Sequence, residues 1–261
     1  MRLSCAEQML GQRPIGDKLD VVREAGLDGI DLRMATVSEP SVRDRLAGSG
    51  VPIGAVYSQL REPGLLSAGA ADRAAAVERV VEYAETADAV GASNLILVPV
   101  FGAARLRGFE PVLPLHVVET AVLMGNLAEI AERIADLSVR VTIEPLNHDE
   151  THFLTDPGVG AAICDAIGSP RIATMVDTYH CEREGQDIPE MITAVGDQLA
   201  LVHLSDSDRR LPGDGDIDFG AVLAALNEHG YTGWLGLECR PVDDVEDLRR
   251  SVRHLREGAR P

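Results

Sequence analysis

Cysteine is scarce in this sequence and is never closely paired. The 261 residues include four cysteines, and none of them lies in a C-x-x-C motif or in any other short paired spacing. Disulfide-rich scaffolds and thiolate zinc sites both depend on such spacings, so both classes are disfavoured. Reduced thiols in a cytoplasmic protein agree best with this pattern. The four positions are Cys5, Cys164, Cys181 and Cys239.

Positive charge is also in short supply. Lysine and arginine number 24, whereas aspartate and glutamate number 42, which gives a formal net charge of -18. A protein that binds nucleic acid needs a basic surface that releases counterions from the phosphates. We therefore expect no nucleic-acid partner.

Long apolar runs are absent from the sequence as well. The longest stretch, 94–101, is much shorter than the roughly 20 residues that a membrane-spanning helix needs. The opening segment MRLSCAEQML has neither the basic cluster nor the apolar run of a signal peptide. We expect a cytoplasmic protein that has no membrane partner.

Short β-branched apolar runs alternate with longer segments of helical periodicity, which is the pattern of repeated βα units around a parallel sheet. Helical segments include 72–90 and 116–137. Eight units in 261 residues allow about 33 residues each, which is typical of a closed barrel. We predict a single-domain α/β protein, a (β/α)8 TIM barrel over 1–261. A doubly wound open sheet is the alternative, but no G-x-G-x-x-G follows the first strand. The predicted strands are 2–5, 29–32, 53–57, 94–99, 140–144, 172–177, 199–204 and 234–238.

Glycines mark the predicted ends of several helices. Gly26 and Gly230 each open a four-residue G-x-x-G turn that leads into a predicted strand. A glycine at positive φ closes a helix without steric cost. The longest irregular segments are 61–71 and 102–114, which we expect to serve as lids over a site.

Polar residues follow the later strands at the places where those strands end. Active sites of TIM barrels lie at the carboxyl ends of the strands. Glu144, Asp177, His203 and Glu238 lie at or near these ends on four consecutive strands, separated by about one βα unit each. Three carboxylates and one imidazole favour a divalent metal such as Mn2+, Mg2+ or Co2+ over a structural zinc. We predict a metal site formed by these four residues.

Each of these residues also has an ordinary structural explanation. A single acid at a strand end usually caps a helix or faces solvent, and a single histidine on an apolar strand is usually a core residue. The combination of four such residues, each in the same structural place, is what favours a site. Two other segments do not fit a metal motif. PGDGDIDFG at 212–220 lacks the terminal glutamate of a calcium loop, and HDETH at 148–152 is not H-E-x-x-H.

The second half of the sequence resembles the xylose isomerase-like TIM barrels, a family of sugar isomerases and epimerases. The matching motifs are IEPLN at 143–147, D-x-Y-H at 177–180, HLSDSDRRLPGDGDID at 203–218 and GLECRP at 236–241. Within that family the sequence looks most similar to the ketose 3-epimerases of the tagatose and psicose epimerase type. GLECRP also looks like hydroxypyruvate isomerase. The resemblance implies that Glu144, Asp177, His203 and Glu238 bind the metal. It further implies that Glu144 and Glu238 are the catalytic acid and base, and that Glu150, His180 and Arg209 contact substrate oxygens.

Epimerisation or isomerisation of a hydroxy ketone requires removal of a C–H proton next to a carbonyl. A divalent cation stabilises the resulting enediolate, one carboxylate takes the proton and a second returns one. We expect His180 and Arg209 to anchor the oxygens near C1 and C2. The loops after the last two strands are acidic, which disfavours a phosphorylated substrate and leaves a neutral ketose, a keto-polyol or a small keto acid.

Other functions remain open at this stage. A metal-dependent dehydratase of the inosose dehydratase type uses the same proton abstraction followed by loss of a β-hydroxyl group. An apurinic-site endonuclease of the same superfamily needs more histidines and a DNA-binding groove, and the charge of -18 with seven histidines disfavours it. A metal-holding sugar-binding subunit without turnover is a non-enzymatic alternative. A homodimer or homotetramer is the expected assembly.

Overall fold

The structure is a computed structural model that describes residues 1–58, 60–61, 63–108 and 112–258. Residue 62 of the predicted loop 61–71, residues 109–111 of the predicted loop 102–114, and residues 259–261 of the predicted domain lie outside the described residues. The predicted lid role of the two loops therefore falls partly on residues that are not described.

Eight parallel strands form one sheet in the order β1-β8-β7-β6-β5-β4-β3-β2. A bridge between Ala6 and Asp31 joins the two outer strands, so the sheet curves into a nearly closed barrel. The predicted single-domain (β/α)8 TIM barrel is confirmed. The strands are β1 (Arg2–Cys5), β2 (Ile30–Arg33), β3 (Ile53–Tyr57), β4 (Asn94–Leu97), β5 (Arg140–Ile143), β6 (Ile172–Asp177), β7 (Leu199–Leu204) and β8 (Trp234–Leu237).

Helices cover the outside of the barrel. Two predicted helices, 72–90 and 116–137, are present with ends shifted by a few residues. No helix in the described part of the chain is both long and apolar enough to cross a membrane. The α-helices of the described residues are α1 (Ile15–Ala25), α2 (Met34–Val37), α3 (Pro40–Ser49), α4 (Ala70–Ala89), α5 (Leu115–Arg133), α6 (Pro157–Ile167), α7 (Thr178–Arg183), α8 (Ile188–Val195), α9 (Phe219–Glu228) and α10 (Val245–Gly258).

The predicted glycine turns are present. Gly26 has φ 77° and Gly230 has φ 63°, and each follows the end of a helix. Three strands end earlier than predicted, and proline accounts for two of these differences. β4 ends before Pro99 and β5 ends just before Glu144–Pro145, because a proline has no N–H to extend the ladder.

Inside the barrel, side chains alternate along the strands with a period of two. A buried layer of Ala55, Ile96, Met175, Leu201 and Trp234 fills the barrel interior. The residues two positions further along three of those strands, namely Tyr57, Asp177 and His203, consequently lie nearer the carboxyl ends. The alternation thus places polar side chains directly above an apolar floor.

Candidate active site

The barrel brings the four predicted metal ligands together. Glu144 follows β5, Asp177 ends β6, His203 lies in β7 and Glu238 follows β8. One potential ligand atom from each residue lies within 4.8 Å of those of the others. Four consecutive strands of a closed barrel converge at this end, which is why residues so distant in sequence meet here.

His203 Nδ1 is the nitrogen at the centre of this cluster. Carboxylate oxygens of Glu144, Asp177 and Glu238 face it at 3.6, 3.6 and 3.4 Å. Nδ1 is buried and has no hydrogen-bond partner among the described residues. A buried nitrogen without a hydrogen bond, surrounded by three carboxylate oxygens at 3.4 to 3.6 Å, fits a divalent cation with mixed oxygen and nitrogen ligands.

Positive neighbours keep two of the carboxylates ionised. Burial by itself raises the pKa of Asp177, but the nearby Arg209 guanidinium outweighs it and holds that pKa well below its ordinary value. Burial likewise opposes ionisation of Glu238, yet His203 and Arg209 hold its pKa below the usual range. The cluster therefore presents negative charge to a cation at neutral pH.

Asp177 has two separate tasks. Its Oδ1 accepts hydrogen bonds from the backbone N–H groups of Tyr179 at 2.8 Å and His180 at 3.3 Å, which caps the start of α7. Its Oδ2 faces His203 and Arg209. One oxygen of Asp177 therefore caps a helix, as an acid at a strand end usually does. The other oxygen faces the cluster.

Arg209 and His180 lie against the same cluster. Arg209 Nη1 donates to Asp177 Oδ2 and to Glu238 Oε2, both at 2.9 Å, and its guanidinium lies over the Tyr179 ring at 4.2 Å from the centroid. His180 Nε2 is 3.0 Å from Arg209 Nη2, and His180 Nδ1 accepts the backbone N–H of Asn147 at 3.1 Å. Two of the three predicted substrate contacts are therefore adjacent to the predicted metal ligands.

Glu150, the third predicted substrate contact, is exposed on the loop after β5. It lines the same cavity, and its Oε1 is 3.5 Å from Asn147 Nδ2. The loop is attached to the segment after β4, because Gly102 N–H donates to the Glu150 carbonyl at 2.7 Å and Gly102 pairs with Thr151. This attachment places Glu150 at the rim of the cavity, whereas His180 and Arg209 lie deeper.

Asp206 organises the loop that carries Arg209, and sequence reasoning missed it. Its fully buried carboxylate accepts four backbone N–H groups at 2.9 to 3.1 Å. The aspartate- and glycine-rich segment after β7 is therefore wound around a carboxylate of the protein itself. Asp208 and Arg209 both have φ near 60°, an unusual and strained backbone for residues with a Cβ. The four donors are the N–H groups of Ser207, Gly213, Gly215 and Ile217.

The first three strands form the opposite wall of a cavity of about 520 Å3. Gln8 follows β1, Arg33 ends β2 and Tyr57 ends β3, and all three side chains line this cavity together with Glu144 and Glu238. Sequence reasoning missed these residues. The rule that identified the metal ligands, namely polar residues at the carboxyl ends of strands, also applies to Arg33 and Tyr57.

Asp31 lies inside the barrel between the two walls. Its carboxylate accepts hydrogen bonds from Ser4 Oγ at 2.7 Å and from the Ala55 N–H at 2.8 Å. Burial raises the pKa of Asp31 to about 6. A Cβ at Gly54 or Gly236 would approach its oxygens to 2.5 or 2.6 Å, so glycine is needed at both positions.

Known proteins agree with this architecture. The model of the xylose isomerase-like TIM barrel family matches residues 19–258. L-ribulose 3-epimerase of Methylomonas sp. (strain DH-1) is 30% identical over 115 residues, which are 44% of this chain and 40% of that protein. A putative hydroxypyruvate isomerase of Streptomyces coelicolor is 32% identical over 164 residues, which are 60% of this chain and 56% of that protein.

The solved structures extend the similarity to the whole barrel. A crystal structure of D-psicose 3-epimerase in the presence of D-fructose superposes with a TM-score of 0.85 at 20% identity and covers 99% of both chains. At that identity the likeness establishes the fold. The chain spans 40% and 56% of the lengths of the two relatives above, so the matched segments are shorter than those proteins.

Proposed function

The chain belongs to the xylose isomerase-like TIM barrel family, and from this membership we propose that it is a divalent-metal-dependent sugar epimerase or isomerase. Its substrate in this proposal is a ketose or a small hydroxy ketone. The observation that carries the proposal is the convergence of three carboxylates on the unpartnered Nδ1 of His203. The similarity to ketose 3-epimerases and to hydroxypyruvate isomerase supports the same class of reaction.

We assign the cation to Glu144, Asp177, His203 and Glu238. Oxygen donors with a single nitrogen suit Mn2+, and Mg2+ or Co2+ fit the same donor set. Its chemistry there is Lewis-acid stabilisation of the negative charge that develops on the substrate oxygens.

Glu144 and Glu238 are the proposed acid and base. They follow β5 and β8, so they reach the cavity from different sides of the barrel. One carboxylate removes the proton from the carbon next to the carbonyl, and the other returns a proton to the opposite face or to the neighbouring carbon. Gln8 Nε2 donates to Glu238 Oε1 at 3.1 Å, which fixes the orientation of that carboxylate.

His180 and Arg209 are the proposed anchors for substrate oxygens. Because Nδ1 of His180 accepts the Asn147 N–H, the neutral ring carries its proton on Nε2. Nε2–H and the Arg209 Nη2 group are then two donors 3.0 Å apart. An oxygen of the substrate can accept from both, which orients the carbonyl end beside the two glutamates.

Hydroxypyruvate isomerase is the second candidate function. The match to the putative hydroxypyruvate isomerase covers 60% of this chain, which is more than the match to the L-ribulose 3-epimerase. Arg209 can hold a carboxylate of a small keto acid through paired hydrogen bonds. A dehydratase uses the same first proton abstraction and differs in losing water afterwards.

The test is to follow carbon-bound hydrogen by NMR in D2O, using protein stripped with a chelator and then supplied with Mn2+ or left without metal. The panel contains ketoses, hydroxypyruvate and inosose. We expect metal-dependent loss of one C–H signal. Loss at C3 of a ketose identifies 3-epimerisation, exchange with hydroxypyruvate identifies the second candidate, and loss of water from inosose identifies a dehydratase. A metal-loaded protein that exchanges no proton in any substrate would contradict the proposal.

We further propose that the protein works in the cytoplasm as a homodimer or homotetramer. The four cysteines are all buried and unpaired, which agrees with a reducing compartment. Burial raises the pKa of each of these thiols above its ordinary value, so they remain protonated. Light scattering of the purified protein tests the assembly.

A further inference from the structure

The hydroxyl group of Tyr57 has no partner among the described residues, although it is buried. Tyr57 ends β3 and lines the cavity. A buried hydroxyl without a partner is unfavourable, because it gives up its hydrogen bonds to water and gains none in return. Such a group in the wall of a binding cavity is suited to a ligand that supplies the missing partner.

Glu7, the charged residue with the largest effect on the Tyr57 phenol, already has hydrogen-bonding partners of its own. Glu7 is also buried. Lys18 Nζ donates to Glu7 Oε2 at 2.8 Å, whereas the Arg33 N–H and Thr36 Oγ1 donate to Oε1 at 2.9 and 2.6 Å. Burial, together with this negative charge, raises the pKa of Tyr57, so the hydroxyl stays protonated and can both donate and accept.

Arg33 lies on the same wall of the cavity. It is exposed, and no carboxylate of the described residues lies within salt-bridge distance of it. Its Nη2 donates to Gln8 Oε1 at 3.4 Å, and the same amide donates to Glu238 Oε1 at 3.1 Å. One amide group therefore separates the guanidinium from the proposed acid-base glutamate, a span that the carbon chain of a sugar can cover.

We propose that Arg33 and Tyr57 form a subsite for the hydroxyl-bearing end of a ketose, the end that lies away from the reacting carbonyl. The proposal rests on the proposed function and adds its substrate class, namely a neutral ketose long enough to reach from Glu238 to the wall of β2 and β3. Tyr57 and Arg33 then donate to hydroxyl oxygens, and Tyr57 also accepts from a hydroxyl.

The charges around this wall favour a hydroxyl over a carboxylate. Glu7, Asp31 and Glu238 exert a negative electrostatic effect on the Tyr57 phenol, and Arg33 opposes them. A second carboxylate would meet repulsion from these three groups, whereas a neutral polyol would not. A substrate of three carbons would occupy the cation end of the cavity without reaching the subsite.

The test compares Tyr57→Phe with the unchanged protein on two ligands, a six-carbon ketose such as D-fructose and the three-carbon ketone dihydroxyacetone. Equilibrium binding to the metal-loaded protein is measured by calorimetry, and proton exchange in D2O is measured in parallel. We expect Tyr57→Phe to weaken binding of the ketose and to lower its kcat/KM by about ten-fold, with less than a two-fold change for dihydroxyacetone. Arg33→Met should act in the same direction on the same ligand.

Thermal unfolding separates this role from a structural one. Removing an unpaired buried hydroxyl should leave the melting temperature unchanged or raise it. The matched control is Tyr231→Phe at the other end of the barrel, where Oη donates to the Trp234 carbonyl at 2.8 Å. That variant should lose stability and leave the ratio of the two kcat/KM values unchanged.

Each outcome decides the proposal. An equal loss for both ligands, or no loss for the ketose, overturns the subsite even when turnover is normal. Hydroxypyruvate is measured as a third ligand with Arg33→Met, and a large effect confined to it overturns the neutral-ketose class in favour of an acid. Weakened ketose binding without any proton exchange in the unchanged protein supports the subsite and contradicts the proposed function. Absence of ketose binding to the unchanged protein overturns the subsite.

Discussion

The two halves of the barrel contribute different kinds of group to the same cavity. Strands β5 to β8 supply three carboxylates and an imidazole that converge on one point. Strands β1 to β3 supply an amide, a guanidinium and a phenol, which are spread over a wall. Concentrated charge is suited to hold a cation and to move protons, whereas dispersed hydrogen-bonding groups are suited to select a shape. If the proposed function is correct, the type of reaction is determined by strands β5 to β8 and the choice of substrate by strands β1 to β3.

The largest expected effect lies in the charged half. Glu144→Gln keeps the size of the side chain and removes its ability to take a proton, so we expect metal-dependent exchange in D2O to fall by about 10²- to 10⁴-fold. Glu129→Gln, an exposed position on α5, is the control and should exchange at the normal rate. Full exchange by Glu144→Gln would contradict the assignment of proton transfer to strands β5 to β8.

The next largest effect concerns the stability of the charged half. Asp206→Ala leaves four backbone N–H groups without their acceptor, and we expect a loss of about 4 kcal/mol in the free energy of unfolding, roughly 1 kcal/mol for each donor. Asp214→Ala on the same loop is the control, because among the described residues the Asp214 side chain pairs only with Arg250 at the surface. Urea denaturation measures both. Equal midpoints for the two variants would show that Asp206 does not hold the loop.

A third prediction concerns Asp31, which lies between the halves. Its pKa is about 6 in the folded protein and 3.8 in an unperturbed chain, so its ionisation disfavours folding. The protonated Asp31 carboxyl stabilises the folded protein fully below about pH 4, and this stabilisation is lost as the pH rises through 6. The free energy of unfolding falls by about 3 kcal/mol over this range. Asp31→Asn lacks this ionisation, so its stability relative to the unchanged protein should rise over that window.

The measurement is urea denaturation at several pH values between 4 and 7 in the presence of a chelator. Asp20→Asn, an exposed position on α1, serves as the control and should keep a constant difference from the unchanged protein. A constant difference for Asp31→Asn as well would mean that the carboxyl of Asp31 is not held in its neutral form by the barrel.

The smallest effect links the two halves directly. Gln8→Ala removes the donor to Glu238 Oε1, so the carboxylate loses one hydrogen bond that favours its ionised form. We expect kcat to fall by about ten-fold and the acidic limb of the pH–rate profile to move to higher pH, with little change in KM. Gln198→Ala, on the far end of the barrel, should leave the profile in place. An unchanged pH–rate profile for Gln8→Ala would show that Gln8 does not influence the ionisation of Glu238.

Much of the fold could be predicted because apolar periodicity is local. The bounds of β6 at Ile172–Asp177 agree with the sequence pattern, since a fully buried run bounded by polar residues is visible in one dimension. The strand ends next to prolines were predicted less accurately, because strand pairing ends where proline removes the backbone N–H donor. The metal ligands were visible because each is a charged residue on or next to an apolar strand, which is a strong local contrast.

The substrate wall could not be predicted for a physical reason. Gln8 lies in a short 3-10 turn, Glu7–Leu10, and gains its importance only from the Glu238 carboxylate more than two hundred positions away. In the sequence Tyr57 looks like any aromatic residue of a strand, because only the structure shows that its hydroxyl lacks a partner among the described residues. Asp206 likewise looks like one more acid in an acidic loop until its four donors are located.

The divided role of Asp177 limits what evolution can place at that position. One oxygen caps α7 and the other faces the cluster, so a replacement must be both short enough to cap and ionised. Asparagine can cap but brings no charge, and glutamate brings charge on a longer arm. Every single substitution therefore abandons one task or the other. A lineage that changed its reaction while keeping this barrel would find it easier to alter the wall of β1 to β3 than to pass through a variant at this aspartate.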